Sequence, residues 1–164
     1  MNRRIGIILS MLVIAGSFTL YGAQSSGQLE RKAIKLPNKF VNAPFSDGIV
    51  FGDTLYLAGR IGIDAKTGKV PEKIEDEIKL LLDGEKDVLA QAGMTMDDLA
   101  YVQVFCTDLS LFEKFNPIYK TYFTKDYPAR AFIGAGSLLV GGHFELQAIA
   151  VRHQYLVGVK DGKP

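Results

Sequence analysis

The chain has 164 residues, of which 48% are apolar, and it carries 19 Lys and Arg residues against 18 Asp and Glu residues. A chain of this length is expected to form about one domain with a sizeable core. The balanced charge argues against nonspecific nucleic-acid binding, which requires a basic surface that releases counterions. Because the chain has a single Cys, an internal disulfide is excluded and packing must hold the domain together.

The first 25 residues have the layout of a secretory signal peptide. A basic stretch at residues 1–4 precedes a run without charge at residues 5–21, and small residues such as Ala23 and Ser25 offer an imperfect cleavage site. We therefore expect a periplasmic or secreted protein. The alternative is an uncleaved membrane anchor, because the apolar run is close to the ~20 residues that a membrane span needs.

The next part of the chain is predicted to form strands. Residues 26–42 are interpreted as a linker and a first strand, which lies at a sheet edge because Pro37 follows it. Apolar runs at 48–51 and 54–58 flank Gly52-Asp53 and indicate a β-hairpin. Residues 43–155 are taken as the domain, and 156–164 as a C-terminal tail.

A long helix is predicted after a loop at residues 64–69. Gly93 is expected to end it as a left-handed residue, and Gly84 interrupts it at a cost of ~1 kcal/mol relative to Ala. Apolar residues recur on one face at helical spacing: Ile74, Ile78, Leu81, Leu82, Val88, Leu89 and Ala92.

Strands and one short helix complete the pattern. Strict alternation over 101–107 predicts a strand, and further strands are predicted at 131–134 and 144–153. Asn116-Pro117 is interpreted as the N-cap and first position of the second helix, with a separate turn over 110–115 because proline breaks a helix interior. That helix would align four side chains: Ile118, Tyr119, Tyr122 and Phe123.

These elements predict an α+β fold in which two helices pack on one face of a single sheet. Too few residues remain to cover the other face of so small a sheet. We therefore infer that the chain assembles with copies of itself.

Two charged residues are candidates for chemistry. Glu145 lies in an apolar strand, where it is either solvent-facing or a carboxylate that orients water or carries a proton. Arg130 follows a proline-fixed loop, where it either forms a structural ion pair or grips a ligand carboxylate with two parallel hydrogen bonds. The residues alone leave both pairs of alternatives open.

Other reactive side chains are interpreted as structural. Cys106 is in phase with the apolar side of its strand, which indicates a small buried hydrophobe. His143 and His153 show no metal-ligand spacing with it. Gly134-Ala135-Gly136 lacks the third glycine and the helix of a dinucleotide fingerprint. No metal site is expected.

An ordered set of motifs resembles the reactive-intermediate deaminase (Rid/YjgF) family from about Ala43 to Arg152. The most specific piece is PARA, which contains Arg130 and is followed downstream by Glu145. The motifs are APFSDGI at 43–49, YLAGRI at 56–61, NPIYKTYF at 116–123 and PARA at 128–131. Each is common alone, whereas the ordered set is specific.

The resemblance implies a chorismate mutase-like fold with a single mixed sheet, and homotrimers with clefts between adjacent subunits. It implies hydrolysis of reactive enamines and 2-imino acids to 2-keto acids and ammonia, without a metal or organic cofactor. Arg130 matches the family's carboxylate-binding arginine, Glu145 the acidic residue that positions the water, and Asn116 a pocket asparagine.

The sequence departs from the family pattern at several candidate substrate-binding positions. Phe45 stands where deaminating members usually carry tyrosine, which removes one polar contact to substrate. Ala58 and Arg60 replace the usual serine and glutamine, and Arg60 is expected to bring a second cation near the pocket. Phe132 occupies a position that is small or variable in other members, and Gln147 replaces a second glutamate.

The leading hypothesis is therefore an exported imine or enamine deaminase. The alternative is a non-catalytic periplasmic protein of the same fold that binds a small carboxylate, favoured by the loss of polar groups at Phe45 and Ala58. A third hypothesis, ribonuclease activity, is disfavoured by the export signal and the near-neutral charge. Expected partners are further copies of the chain and a small carboxylate or imino-acid ligand, with no nucleic acid and no membrane contact beyond an uncleaved signal.

Overall fold

A computed structural model describes residues 30–37 and 43–152. The expected signal peptide, most of the linker and the C-terminal tail lie outside these residues. The described chain forms β1 (Arg31–Ile34), β2 (Gly48–Phe51), β3 (Thr54–Ile61), α1 (Ile74–Gln91), β4 (Leu99–Cys106), α2 (Phe112–Lys120), β5 (Ala129–Gly134) and β6 (Phe144–Val151). Short 3-10 turns lie at Met96–Asp98, Leu109–Leu111 and Leu139–Gly141.

The strands form one mixed sheet in the order β1-β2-β3-β6-β4-β5. β4 and β5 are parallel, and the other neighbouring strands are antiparallel. The predicted hairpin is confirmed as β2 and β3, with Gly52 at φ 60° in its turn, a conformation that glycine adopts readily. β1 is an edge strand, as predicted, and β5 forms the opposite edge.

The predicted amphipathic helix is confirmed as α1. Its apolar stripe packs on the sheet, and Gly93 after its end has φ 67°. The fold explains why a glycine, Gly84, stands inside the helix. A Cβ atom there would lie 2.6 Å from Cδ of Arg60, so the close approach of this side chain requires glycine.

The apolar face of α1 also buries two carboxylates that the sequence pattern did not single out. Glu77 and Glu85 are fully buried. Glu77 Oε1 accepts hydrogen bonds from the backbone N–H groups of His143 at 2.7 Å and Phe144 at 3.1 Å, which ties α1 to the start of β6. Each glutamate lies four residues before a buried leucine, Leu81 or Leu89, so helical spacing could have revealed both.

The predicted start of the second helix was wrong. α2 begins at Phe112, and Pro117 lies inside it, so Asn116 is not an N-cap. Asp108 instead caps the preceding 3-10 turn by accepting a hydrogen bond from the Ser110 N–H. The proline is tolerated because it removes only the bond to the carbonyl of Glu113, an exposed residue whose carbonyl water can satisfy.

Helices α1 and α2 both pack on one face of the sheet, as predicted. The opposite face presents exposed apolar side chains that the described chain does not cover, namely Tyr56, Tyr101, Ile133 and Val151. Among the described residues, no helix has the length and apolar character needed to cross a membrane.

Candidate functional site

Arg130 is held at the edge of the sheet by side chains from α2. It pairs with Val102 across β4 and β5, which places it on the helix-covered face. Its Nη2 atom donates a hydrogen bond to Asn116 Oδ1 at 2.7 Å, and its guanidinium carbon lies 4.6 Å from the centre of the Tyr119 ring. The guanidinium plane is therefore oriented by a hydrogen bond and an aromatic face, a geometry suited to presenting its other donors to a carboxylate.

Phe132 lies two residues further along β5 on the same face. Its ring meets those of Phe112 and Phe115 edge-on, with centres 5.1 and 5.5 Å apart. The large side chain at this position is thus accommodated by aromatic packing beneath α2, beside Arg130.

A cleft of about 290 Å³ opens next to Arg130, between α2 and the start of β5. Asn116, Tyr119 and Lys120 are spaced three and four residues apart on α2, so they share one face of the helix. The described residues that line it include two cations and no acidic side chain: Asn116, Tyr119, Lys120, Tyr127, Pro128 and Arg130. Such a cleft favours a small anionic ligand with some apolar surface.

Tyr119 was predicted only as a packing residue of α2, and the structure gives it a second place in the cleft wall. It is 4% exposed, and its hydroxyl has no hydrogen-bond partner among the described residues. Burial raises the pKa of this tyrosine to about 12, so the hydroxyl stays protonated at neutral pH. Its spacing from Asn116, like that of Lys120, was the signal that could have identified both as cleft residues.

Glu145 projects from the opposite face of the sheet. It pairs with Phe105, whereas Arg130 pairs with Val102 on the same strand, and residues separated by three positions in a strand point to opposite sides. The carboxylate lies against Gly59, where a Cβ atom would be only 2.1 Å from Glu145 Oε1. A register shift between Leu57 and Arg60 bends β3 at this point and brings Gly59, the residue after Ala58, beside the glutamate.

The structure thus divides the predicted site residues into two groups. Arg130, Asn116 and Phe132 lie together at the β5 edge, and Ala58 lies near Glu145 on β3 and β6. Strands β3 and β5 are separated by β6 and β4, which at the usual strand spacing is about 14 Å. Phe45 is 56% exposed in the loop before β2, one strand further away. Within one chain, the sheet itself lies between Arg130 and Glu145.

Arg60 does not contribute its charge to the Arg130 cleft. Its Nη2 atom lies 2.8 Å from Asp47 Oδ1 and its Nε atom 3.6 Å from Glu85 Oε1, and its side chain is 9% exposed. This corrects the expectation of Arg60 as the second cation near the pocket. The irregularity in β3 turns the side chain beneath α1, and Lys120 supplies the second cation instead.

Cys106 is buried, as its alternation with Val102 and Val104 predicted. Its Sγ atom lies 3.0 Å from the backbone oxygen of Asp108 and donates to it. Burial raises the pKa of the thiol, which disfavours the nucleophilic thiolate. The cysteine is therefore a core residue.

Comparison with known proteins agrees with this arrangement of elements. Residues 37–152 match the family model described as Endoribonuclease L-PSP. The 2-iminobutanoate/2-iminopropanoate deaminase of Bos taurus is 33% identical over 110 residues, which are 66% of this chain and 80% of that protein.

Solved structures show the same fold. The structure of Escherichia coli TdcF with bound serine is 29% identical, with a TM-score of 0.70, and the match covers 74% of this chain and 99% of that one. The structure of the E. coli YjgF gene product is 30% identical, with a TM-score of 0.69 and the same coverage. This chain belongs to the Rid/YjgF family of reactive-intermediate deaminases.

Proposed function

We propose that the protein hydrolyses reactive enamines and 2-imino acids to 2-keto acids and ammonia. The observation that carries the proposal is Arg130, fixed by Asn116 and Tyr119 at a cleft in which the described lining has no acidic side chain. The deaminase name of the bovine relative and the serine bound to TdcF support a small amino-acid-like ligand. These relatives give no support to the alternative of a non-catalytic carboxylate-binding protein.

Arg130 would bind the substrate carboxylate. An arginine is always charged and offers two parallel N–H donors, so it sets both the position and the plane of the carboxylate. The hydrogen bond to Asn116 leaves the other guanidinium donors for this purpose. Binding by this group orients the adjacent C2 atom, which is the carbon that water must attack.

Glu145 would act on the water. As general base it takes a proton from water while the water oxygen bonds to C2 of the protonated imine and the C=N π electrons move to nitrogen, which forms a neutral tetrahedral carbinolamine. Glu145 then gives this proton to the amino group, and its carboxylate takes the hydroxyl proton as the C–N bond breaks, ammonia leaves and the C2 carbonyl forms. The proton left on Glu145 passes to the departing ammonia, which restores the carboxylate. One water is consumed for each keto acid and ammonia released, and no electrons are exchanged.

The positions of the two residues require a second copy of the chain in this scheme. Because the sheet separates Arg130 from Glu145 within one chain, the complete site pairs Arg130 of one subunit with Glu145 of a neighbour. The uncovered apolar face of the sheet supports such an assembly. We propose a homotrimer with three inter-subunit clefts, the arrangement that the family resemblance implies.

A direct test mixes the purified mature protein with 2-aminoacrylate or 2-iminobutyrate generated in situ by a dehydratase. Keto acid and ammonia are measured at early times against a buffer control. Formation of both products in equal amounts is expected, faster than in buffer and slowed by about tenfold or more in Arg130→Ala. Wild-type protein that gives the buffer rate with both imines contradicts the proposal.

We also propose that the protein acts outside the cytoplasm, on the basis of the N-terminal sequence pattern. Expression of the full chain in a Gram-negative host, followed by fractionation and intact mass, tests this. A periplasmic product that lacks about the first 25 residues is expected. A full-length product in the cytoplasmic fraction contradicts export.

A further inference from the structure

The cleft beside Arg130 carries more positive charge than a 2-imino monocarboxylate can neutralise. Lys120 and Arg130 both line it, and no Asp or Glu of residues 30–37 and 43–152 does. Among the residues that the structure describes, no carboxylate lies within ion-pair distance of either side chain. One carboxylate on the ligand would satisfy Arg130 and leave Lys120 without a counterion.

The fold gives Lys120 a defined direction relative to Arg130. Lys120 lies one turn after Asn116 on α2, and Asn116 accepts the hydrogen bond from Arg130. Residues four apart on a helix share a face, so the helix that fixes the guanidinium also brings Lys120 to the wall of the same cleft. The two cations therefore stand at different points of one small cavity.

Geometry and charge together define the ligand. At about 290 Å³ the cleft is close to the lower end of small-molecule sites, which suits a ligand of metabolite size. The aromatic faces of Tyr119 and Tyr127 and the ring of Pro128 suit a short carbon chain between two charged ends.

We infer that the preferred ligands are dicarboxylates, that is, the imines of acidic amino acids, with Arg130 on the carboxylate next to C2 and Lys120 on the distal carboxylate. This inference rests on the proposed function for the reacting group, and the distal carboxylate is its new element. A lysine ammonium is a point charge on a flexible stem, so it accepts distal carboxylates at more than one chain length.

Binding tests the inference independently of turnover. Dissociation constants of 2-oxoglutarate and 2-oxopentanoate, stable keto acids of equal carbon number, are measured by calorimetry at low and moderate salt. Wild type is expected to bind 2-oxoglutarate about fivefold more tightly or better at low salt, and the preference should shrink with salt because exposed charges are screened. Lys120→Gln should remove the preference, and Lys120→Glu should reverse it.

Lys114→Gln is the matched control, since Lys114 is an exposed lysine of the same helix outside the cleft lining. It should keep the wild-type ratio, and melting curves should show all variants folded. A wild-type ratio near one, or a ratio that Lys120→Gln leaves unchanged, overturns the inference.

Turnover separates this failure from failure of the proposed function. The imines of glutamate and norvaline are generated by amino-acid oxidases and their hydrolysis is followed as ammonia release. Hydrolysis of both imines at equal kcat/KM, with a binding ratio near one, leaves the proposed function standing and rejects the dicarboxylate preference. Hydrolysis of neither imine, with the fivefold binding ratio intact, supports the dicarboxylate site and rejects the deaminase.

Discussion

Arg130 donates a hydrogen bond from Nη2 to Asn116 Oδ1 at 2.7 Å, and no carboxylate among the described residues pairs with it. The neutral amide orients the guanidinium without neutralising its charge, whereas a carboxylate partner would neutralise it and compete with a ligand carboxylate. The sequence left two roles open for Arg130, binding of a ligand carboxylate and a structural ion pair. This geometry favours binding of a ligand carboxylate.

Arg130→Ala should therefore lower kcat/KM for imine hydrolysis by about tenfold to hundredfold or more, since a charged hydrogen bond contributes about 1.5–3 kcal/mol. Arg130→Lys should lower kcat/KM nearly as much, because a lysine ammonium does not form the two parallel hydrogen bonds to a carboxylate. Asn116→Ala should lower kcat/KM by a smaller factor than Arg130→Ala. Steady-state kinetics and melting curves on the same preparations measure both effects.

Arg152→Lys serves as the control, since Arg152 bonds the Ala92 carbonyl at the end of α1, away from the cleft. A drop in Tm of several degrees for Arg130→Ala, with turnover reduced only in proportion to unfolded protein, would assign Arg130 a structural role. About 1 kcal/mol shifts Tm by roughly 2–8 °C in domains of this size.

Gly59→Ala tests Glu145 without altering the carboxylate chemically. The new Cβ would lie 2.1 Å from Glu145 Oε1, so the flexible carboxylate must move while the backbone need not. We expect folding to survive and kcat to fall tenfold or more, because misplacement of a catalytic group by about 1 Å can cost about hundredfold. Gly136→Ala, where a Cβ atom meets nothing within 4 Å, should keep wild-type kcat.

Glu145→Gln gives the reference value for this experiment. Its kcat should fall at least as far as that of Gly59→Ala, since the amide cannot accept the proton of water. Wild-type turnover in either Gly59→Ala or Glu145→Gln would remove Glu145 from the mechanism.

Substitutions in the buried ion pair of Arg60 and Glu85 should change the free energy of unfolding in a defined order. Arg60→Ala removes the cation beside the fully buried carboxylate of Glu85 and should destabilise the protein by about 3–5 kcal/mol. The double variant Arg60→Met with Glu85→Leu removes both charges and should recover most of that loss. Urea denaturation measures both, and a double variant less stable than Arg60→Ala would refute the pairing.

Tyr119 predicts a loss of stability at alkaline pH. Burial raises its folded-state pKa from 10.0 to about 12, so the unfolded chain ionises first as pH rises. The folded state then binds more protons, and its stability falls between pH 10 and 12, by roughly 2 kcal/mol from this group. Burial raises the pKa of Tyr122 as well, so this residue adds to the slope.

Tyr119→Phe should reduce the alkaline loss while changing stability at pH 8 little, because the hydroxyl has no partner among the described residues. Urea midpoints measured from pH 8 to pH 11 test this. An unchanged slope in Tyr119→Phe would show that the hydroxyl ionises as freely in the folded state as in the unfolded chain.

The assembly prediction is a trimer. Light scattering of the purified protein at micromolar concentration should give three times the mass of its own chain. Tyr101→Lys places a charge on the apolar face that the described chain leaves uncovered, and it should weaken the assembly. Wild-type protein that elutes as a folded monomer would contradict both the trimer and the shared site.

Local pattern alone was sufficient for most of the elements. The stripe of α1, the turn at Gly52-Asp53 and the alternation of β4 and β6 each depend on neighbours within a few residues, and such short-range rules act whatever the rest of the chain does. The start of α2 could not be predicted from local pattern. Burial of Phe115 against Phe132 and Phe144 favours a helix through Pro117, and these contacts come from distant parts of the chain.

The sequence by itself also determined the candidate residues Arg130, Glu145 and Asn116, through their motifs. Only the tertiary structure decided which of them meet. The alternation of side chains along the strands and the pairing of β4 with β5 and β6 place Arg130 and Glu145 on opposite sides of the sheet. Likewise, Arg60 and Lys120 have the same charge in sequence, but the bend in β3 buries one beneath α1 and the turn of α2 directs the other to the cleft. The direction of a side chain depends on register and packing, which no local pattern specifies.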